Sequence, residues 1–215
     1  MPTTSVPKPK QQRARDTVAK LLEATDLAMR EGGEAAVRIQ EISAQTGISI
    51  GSIYHHFQDR DGLIRATYAH NYARVMEHDL PLVKQFMDKI SSREQLIERE
   101  PEMVEFLHRH FKNQSALDRA AIVGTSAGRP LMQSELSRVQ HGLNEGATEV
   151  MNIAAEHGIL KEHLNPRAAA MVVLGLLLGR AVAELDTEPV SDDDWAQAAL
   201  TAMGGLFKGP GQPRK

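Results

Sequence analysis

Apolar residues recur three and four positions apart along most of this 215-residue chain, which is the spacing of a helix face. A first helix is predicted over residues 12–31 and ends at a pair of glycines. Two short helices follow within residues 39–57, and a long fourth helix begins near Asp59, with Pro81 expected to kink or break it. Five more helices are expected to begin near Ser92, Ser115, Leu131, Asn165 and Ser191, the first of them kinked at Pro101. No strand pattern is present, so the predicted fold is all-α, with about nine helices.

The two short helices within residues 39–57 have the pattern of a helix-turn-helix. Gly47 stands where the first of them must end, and a glycine accepts the positive φ that such a turn commonly requires. Ser49 is a predicted N-cap for the second helix, whose length suits a DNA major groove. Apolar contacts between the helices are expected from Ile39, Ile42, Ile48 and Ile53.

The last two predicted helices indicate self-association. Residues 168–179 are apolar on nearly all sides, so a helix there needs cover on two sides, and the ninth helix has a narrow face of small side chains. We predict a two-fold dimer in which this pair meets its copy as a four-helix bundle. The alternative is that both helices only complete the core of one subunit. The predicted interface residues are Ala168, Met171, Val172, Leu174, Gly175, Leu178, Trp195, Ala199, Ala202, Met203 and Leu206.

The net charge of −3 gives no overall preference for nucleic acid, so any DNA affinity must come from a local patch. Basic residues do cluster before the first helix and on both sides of the helix-turn-helix, at Lys8, Lys10, Arg13, Arg15, Arg38 and Arg60. The tail alone has the alternative interpretation of a solvated basic segment. Because neither a secretory signal nor an apolar run of ~20 residues is recognisable, we expect a cytoplasmic protein, nucleoid-associated when bound to DNA, without membrane contact.

No catalytic or metal-binding pattern is recognisable, so an enzyme is not indicated. Without cysteine, a cysteine-ligated zinc site is excluded. None of the nine histidines has another at the i, i+4 spacing that converges on one metal, so neither metal nor cofactor is expected. The nine methionines suit either an irregular core or an adaptable pocket between the middle helices. The candidate pocket residues are Tyr72, Met76, Met103, Phe106, Leu107, His110 and Met132.

Residues 17–63 resemble the DNA-binding domain of the tetracycline-repressor (TetR) family of bacterial transcriptional regulators. The resemblance lies in the L-L-x-A helix at residues 21–24, in Gly33, and above all in the segment G-I-S-x-G-S-I-Y-H-H-F at residues 47–57, followed by Arg60. The chain departs from the family at Val37 and Arg38, where Ser or Thr is usual, and at Met29, where Phe is favoured.

This resemblance implies a homodimeric repressor that binds a palindromic double-stranded DNA operator and is released by a small apolar or amphipathic effector. It assigns phosphate contacts to Ser52, Tyr54, His56 and Arg60, with a charge-assisted contact open to Arg38. Base contacts would fall to Gln40, Ser49, Ile50 and Gly51. His55 and His56 each have open alternatives, which are contact with DNA, exposure to solvent or a place in the small core of the domain.

The expected domains are a disordered basic tail (residues 1–10), a helix-turn-helix domain (11–58), a helical ligand-binding and dimerisation domain (59–208) and a flexible tail (209–215). The rival hypothesis is an all-helical ligand-binding or scaffolding protein whose helix-turn-helix contacts protein rather than DNA. Salt dependence of duplex binding separates the two.

Overall fold

The computed structural model describes residues 9–113 and 116–208. Within these residues the chain forms ten α-helices and a 3₁₀ turn at Glu34–Ala36, and its β-type pairing is limited to one isolated bridge. The all-α prediction is confirmed. The helices are α1 (Pro9–Gly32), α2 (Ile39–Thr46), α3 (Ile50–Phe57), α4 (Arg60–Asp88), α5 (Arg93–Glu98), α6 (Glu100–Asn113), α7 (Ala116–Gly124), α8 (Pro130–Glu156), α9 (Pro166–Glu184) and α10 (Asp192–Gly204).

Three helices begin directly after the N-cap residues that were predicted from the sequence. The side-chain oxygens of Ser92, Asn165 and Ser191 each accept a hydrogen bond from the backbone N–H three residues further on. Each bond satisfies one of the N–H groups that a helix start leaves without an intrahelical partner.

The structure departs from the sequence expectations at three prolines. α1 already begins at Pro9, inside the segment expected to be disordered. The predicted fifth helix is two helices, α5 and α6, and Pro101 lies in the first turn of α6, where the missing N–H costs no helical hydrogen bond. Pro81 lies within α4 and does not end it: the helix continues to Asp88.

The chain divides into two compact units, Met1–Asn71 and Tyr72–Lys215, so α4 begins in the first and continues into the second. The first unit is built on one apolar core contributed by α1, the 3₁₀ turn region, α2, α3 and the start of α4. Its buried residues are Leu21, Leu22, Ala24, Val37, Ile39, Ile42, Ile53, Leu63 and Ile64. This core fixes the helix-turn-helix against α1 and α4.

The second unit has a larger core and a smaller one. The larger core joins the end of α4, α8 and α9 through Met87, Ala147, Val150, Met151, Ala154, Leu160, Ala169 and Ala170. The smaller core has Leu107 and Ala196 buried, with Phe106, Leu177, Trp195, Leu200 and Met203 packed against them. Together these cores leave cavities between the helices, described below.

Candidate nucleic-acid interface and effector cavities

The turn between α2 and α3 is held by side chains as well as by its glycine. Gly47 has a φ of 71°, the left-handed conformation expected at this position. The Ser43 hydroxyl donates to the carbonyl of Ile48 at 2.7 Å, and Ser49 caps α3 by accepting from the Ser52 N–H at 3.2 Å. The role of Ser43 was not predicted, because its partner lies across the turn rather than at helical spacing.

Helix α3 presents one face to the core and another to solvent. Ile53 is completely buried, while Ile50 is 38% and Tyr54 45% exposed. Gly51 and His55 are also exposed, and Ser52 and His56 are half-buried. The side chains predicted to contact DNA therefore lie mostly on the accessible part of α3.

The two histidines at the end of α3 contact each other through their rings. Their centroids lie 5.4 Å apart in an edge-to-face arrangement, and the ring of His56 lies 6.1 Å from that of Phe57. His56 is thus partly engaged with its neighbours, and His55 is the more accessible of the two. Neither packs as a buried core residue.

Predicted basic contacts are distributed over three elements. Arg38 and Gln40 are exposed near the start of α2, and the guanidinium of Arg38 pairs with Glu41 at 2.9 Å. Arg13 and Arg15 are exposed on the first turns of α1. Lys8 and the side chain of Lys10 lie outside the described residues. The described positions are compatible with a basic approach surface on the first unit.

Arg60 has a structural role that the sequence did not predict. Its Nε donates to the carbonyl of Val37 at 2.7 Å, its Nη2 donates to the carbonyl of Glu34, and its Nη1 lies 3.2 Å from a carboxylate oxygen of Asp61. The guanidinium therefore ties the start of α4 to the turn before α2. The predicted phosphate contact of Arg60 stays a prediction, and it would have to use the donors left over from these bonds.

Gly62 is a second residue whose role was not predicted. Its N–H donates to the side chain of Asp59 at 2.5 Å, which caps α4 as expected. A Cβ at this position would collide with the backbone carbonyl oxygen of Phe57. Only glycine fits where the end of α3 passes the start of α4.

The described residues that were predicted to form one ligand pocket lie at two cavities of the second unit and in its core. The first, here called the apolar cavity, has a volume of about 430 Å³ and is lined by Met103, Phe106 and Leu107 among others. The second, the polar cavity, has about 490 Å³ and is lined by Tyr72. Met132 is buried in the core and lines neither cavity. The side chains of Met76 and His110 lie outside the described residues.

The predicted dimer residues separate into an exposed and an interior group. Ala168, Val172, Gly175 and Ala202 are exposed. In contrast, Ala199 is buried, Trp195 and Met203 pack in the smaller core, and Met171, Leu174 and Leu206 pack against the larger one. Leu178 lines the polar cavity. The interior group thus serves the core and cavities of its own subunit.

Helix α9 is long and apolar enough to cross a membrane by length and composition, with a mean hydropathy of 1.5 and 22% of its most apolar stretch buried. With 19 residues it is longer than the apolar run that is recognisable from the sequence. One such helix is weak evidence of a membrane span, and Arg180 ties this one to the residues that follow it. Its guanidinium donates to Asp192 at 2.6 Å and to the carbonyl of Val190 at 3.1 Å.

The described residues contain no group of three or more His, Cys, Asp or Glu side chains that could hold a metal ion. The functional candidates are therefore the exposed face of the helix-turn-helix and the two cavities. The exposed face of the helix-turn-helix presents hydroxyl, phenol, amide and guanidinium groups, which suit phosphates and base edges. The cavities are sized for small organic molecules.

Comparison with known proteins agrees with this geometry. Residues 21–67 match the profile of "Bacterial regulatory proteins, tetR family". The HTH-type transcriptional regulator UidR of Escherichia coli K12 is 21% identical over 198 residues, covering 92% of this chain and 96% of UidR. These matches identify the chain as a helix-turn-helix transcriptional regulator. It belongs to the TetR family, whose members are regulators and not enzymes.

Solved structures share the fold of the whole chain. A TetR-family regulator from Mesorhizobium loti superposes with a TM-score of 0.69 at 14% identity, covering 91% of this chain and 98% of that one. FadR of Bacillus subtilis in complex with stearoyl-CoA gives a TM-score of 0.60 at 13% identity, covering 88% and 99%. At such identities the likeness extends to the fold alone.

Proposed function

We propose that this TetR-family regulator is a homodimeric repressor that binds a palindromic operator and releases it when a small molecule enters the second unit. The observation that carries the proposal is the accessible face of α3, where Ile50, Gly51, Tyr54 and His55 are exposed around the buried Ile53. A helix of this kind enters the major groove with its N-terminal residues at the base edges. Such a regulator acts in the cytoplasm, on the nucleoid.

The proposed contacts divide into two kinds. Ser52, Tyr54 and His56 would bind phosphates and fix the register, joined by Arg38, Arg13 and Arg15 as charged contacts. Gln40, Ser49 and Ile50 would face base edges, with Ile50 limited to a thymine methyl or to excluding water. Operator choice would then depend on few side chains.

Dimerisation is proposed through the outer face of α9. Val172 is 51% and Val182 75% exposed, and Ala168, Gly175 and Gly179 lie on the same face at intervals of three and four residues. Small side chains allow close helix approach, and an exposed apolar stripe on a helix whose most apolar stretch is 22% buried favours association. Two-fold symmetry would place two recognition helices about one DNA turn apart, ~34 Å.

Release by an effector follows from linkage. A ligand that binds better to an arrangement of the dimer unable to span two half-sites lowers DNA affinity by the difference in binding free energy. Helix α4 belongs to both units and is the covalent route by which a change in the second could reach the first. FadR of Bacillus subtilis, which shares this fold, has been solved in complex with stearoyl-CoA, and this supports the proposal that the chain binds a small molecule.

The test is binding of the full-length protein to duplex DNA from the region upstream of its own gene, measured by fluorescence anisotropy over a salt series. Arg38→Ala should weaken binding and lower the slope of log K against log salt by about one for each phosphate that the variant no longer binds. Arg138→Ala is the matched control: Arg138 pairs with Glu135, and its side chain is 71% exposed compared with 69% for Arg38. Wild-type protein that does not bind duplex at low salt would favour the scaffolding alternative.

The same preparations test the dimer by sedimentation equilibrium. Wild type should have twice the subunit mass at micromolar concentration, and Val172→Glu should shift it towards monomer and weaken operator binding. Leu131→Glu, at an exposed leucine on α8, is the control and should leave the mass unchanged. A monomeric wild type would contradict the proposed assembly.

A further inference from the structure

A buried arginine on α7 has a hydrogen-bond donor without a partner. Arg119 is 6% exposed, and its Nε finds no acceptor among the described residues. The guanidinium carbon lies 5.7 Å from the ring centroid of Tyr72, a cation–π distance. Burial lowers the pKa of Arg119, against smaller opposing effects of the charge of Tyr72 and of a hydrogen bond to its side chain, yet a guanidinium keeps its proton in proteins. A buried charge without a counter-ion is costly, so an anion would complete this site.

Arg119 lines the polar cavity, and the surrounding groups carry no opposing charge. Its polar lining consists of hydroxyl and amide side chains, and no aspartate or glutamate is among the described residues that line it. The carboxylate of Glu184, on the neighbouring α9, is engaged elsewhere, accepting from the N–H groups of Ala116 and Leu117 at 3.1 and 3.0 Å. The cavity therefore has one fixed positive charge in a setting that favours an anion.

A hydrogen-bond network prepares further donors at the same cavity. The Tyr72 hydroxyl donates to Oε1 of Gln140, and Nε2 of Gln140 donates to Oδ1 of Asn144 at 2.6 Å. Each of the two amides has two N–H groups, so donors remain after the network is formed. Both amides line the cavity beside Arg119.

The rest of the wall is apolar. Met171, Leu174 and Leu178 of α9 line the cavity, which measures about 490 Å³ and so matches a small organic molecule rather than an inorganic ion. A single arginine balances one negative charge. A phosphate monoester carries about −1.5 to −2 at neutral pH and would leave excess charge buried, whereas a carboxylate carries one.

We propose that the polar cavity binds an amphipathic monocarboxylate, with the carboxylate on Arg119 and the apolar part on the α9 side chains. The inference rests on the proposed function in one respect, because it identifies this ligand as the effector class. The apolar cavity, which is lined by both Arg93 and Glu100, has no such net charge and is not the carboxylate site.

The experiment uses full-length protein without DNA, so that its result does not depend on operator binding. The probes are benzoate, phenylacetate, hexanoate and octanoate, each paired with its uncharged amide, in thermal-shift and calorimetric titrations. At least one carboxylate should bind and raise the Tm, while its amide binds at least tenfold more weakly. Arg119→Met should lose the carboxylate binding by tenfold or more, Arg119→Lys should retain part of it, and Arg93→Met should retain it fully.

Arg119→Met also leads to an expected change in Tm when no ligand is present. Because the substitution replaces a buried charge that has no counter-ion among the described residues with an apolar side chain of similar length, the ligand-free Tm should rise or stay the same. A clear fall in Tm would show Arg119 to be a structural residue and overturn the proposal. So would a panel without binding, equal binding of acids and amides, or an acid affinity unchanged in Arg119→Met. A shift of Arg119→Met towards monomer would instead indicate that a second copy fills the cavity.

The experiments distinguish a failure of the carboxylate proposal from a failure of the repressor proposal. If wild type binds the carboxylate and also binds operator DNA, addition of the carboxylate should reduce operator affinity at least fivefold, and an unchanged affinity would show that the ligand is not the effector. Carboxylate binding by a protein that binds no duplex would overturn the repressor proposal and keep the site.

Discussion

The two units of the chain treat their buried polar groups differently. In the first, the buried hydroxyls of Thr25 and Thr67 donate to the carbonyls four residues earlier, at 2.7 and 2.9 Å. In the second, buried nitrogens of Arg93, Arg119 and Trp195 have no hydrogen-bond partner among the described residues. Unpaired buried polar groups are rare in finished cores and often indicate a place for a ligand. The two buried hydroxyls of the first unit are therefore satisfied within their own helices, whereas the second unit has unpaired buried nitrogens and contains the cavities described above.

Core truncation should separate the two units most strongly. Ile53→Ala removes a completely buried side chain from the first core, whose residues line neither of the two cavities described above, and should cost about 4 kcal/mol. Leu177→Ala removes a half-buried side chain that already borders the apolar cavity, and should cost about 2 kcal/mol because this side chain packs against fewer atoms. Urea denaturation followed by circular dichroism gives both values.

Trp195 is the single tryptophan and lies in the second unit, so its fluorescence reports on that unit separately. Ile53→Ala should move the dichroism transition more than the fluorescence transition. Equal costs for the two alanine variants would show that the cavities do not weaken the second unit.

The close approach at Gly62 gives a second contrast, in which the largest single effect is smaller. Gly62→Ala places a methyl group against the Phe57 carbonyl and should destabilise the protein by about 3 kcal/mol, as overpacking does. Gly142→Ala is the matched change in the second unit: it lies exposed on α8 with nothing within 4 Å of the added carbon. There alanine should stabilise by up to about 1 kcal/mol through helix propensity. Thermal unfolding that shifts both variants in the same direction would contradict this view.

The same difference explains which features were predictable from sequence. Periodicity located the helices, and local chemistry located their ends: Gly47 has its predicted positive φ, and Ser49, Asp59 and Asn165 cap as expected. These features depend on residues within four positions of each other. The helices of the first unit, built largely from such local rules, were therefore predictable to within a few residues at their ends.

Features that depend on distant residues were not predictable. The guanidinium of Arg60 binds carbonyls 23 and 26 positions earlier in the chain, and this role was not predicted, while its phosphate contact stays a prediction. The residues expected to form one ligand pocket include members that line two different cavities, because apolar periodicity identifies a buried face without showing whether a side chain or a void lies opposite. For the same reason Arg119 and Gln140 received no role from the sequence.

Adding a methylene group should change stability in opposite directions in the two units, and the largest single effect should be the smallest of the three comparisons. Val37 is 1% exposed in the tightly packed first core, so Val37→Ile should cost about 1–2 kcal/mol through overpacking. Val173 borders the apolar cavity, and Val173→Ile can place its extra methylene in that space and gain up to about 0.8 kcal/mol. Both substitutions keep a β-branched side chain, so differences in χ1 preference nearly cancel. A loss of stability in Val173→Ile equal to that in Val37→Ile, measured by urea denaturation, would mean that the cavity closes in solution and is not available to a ligand.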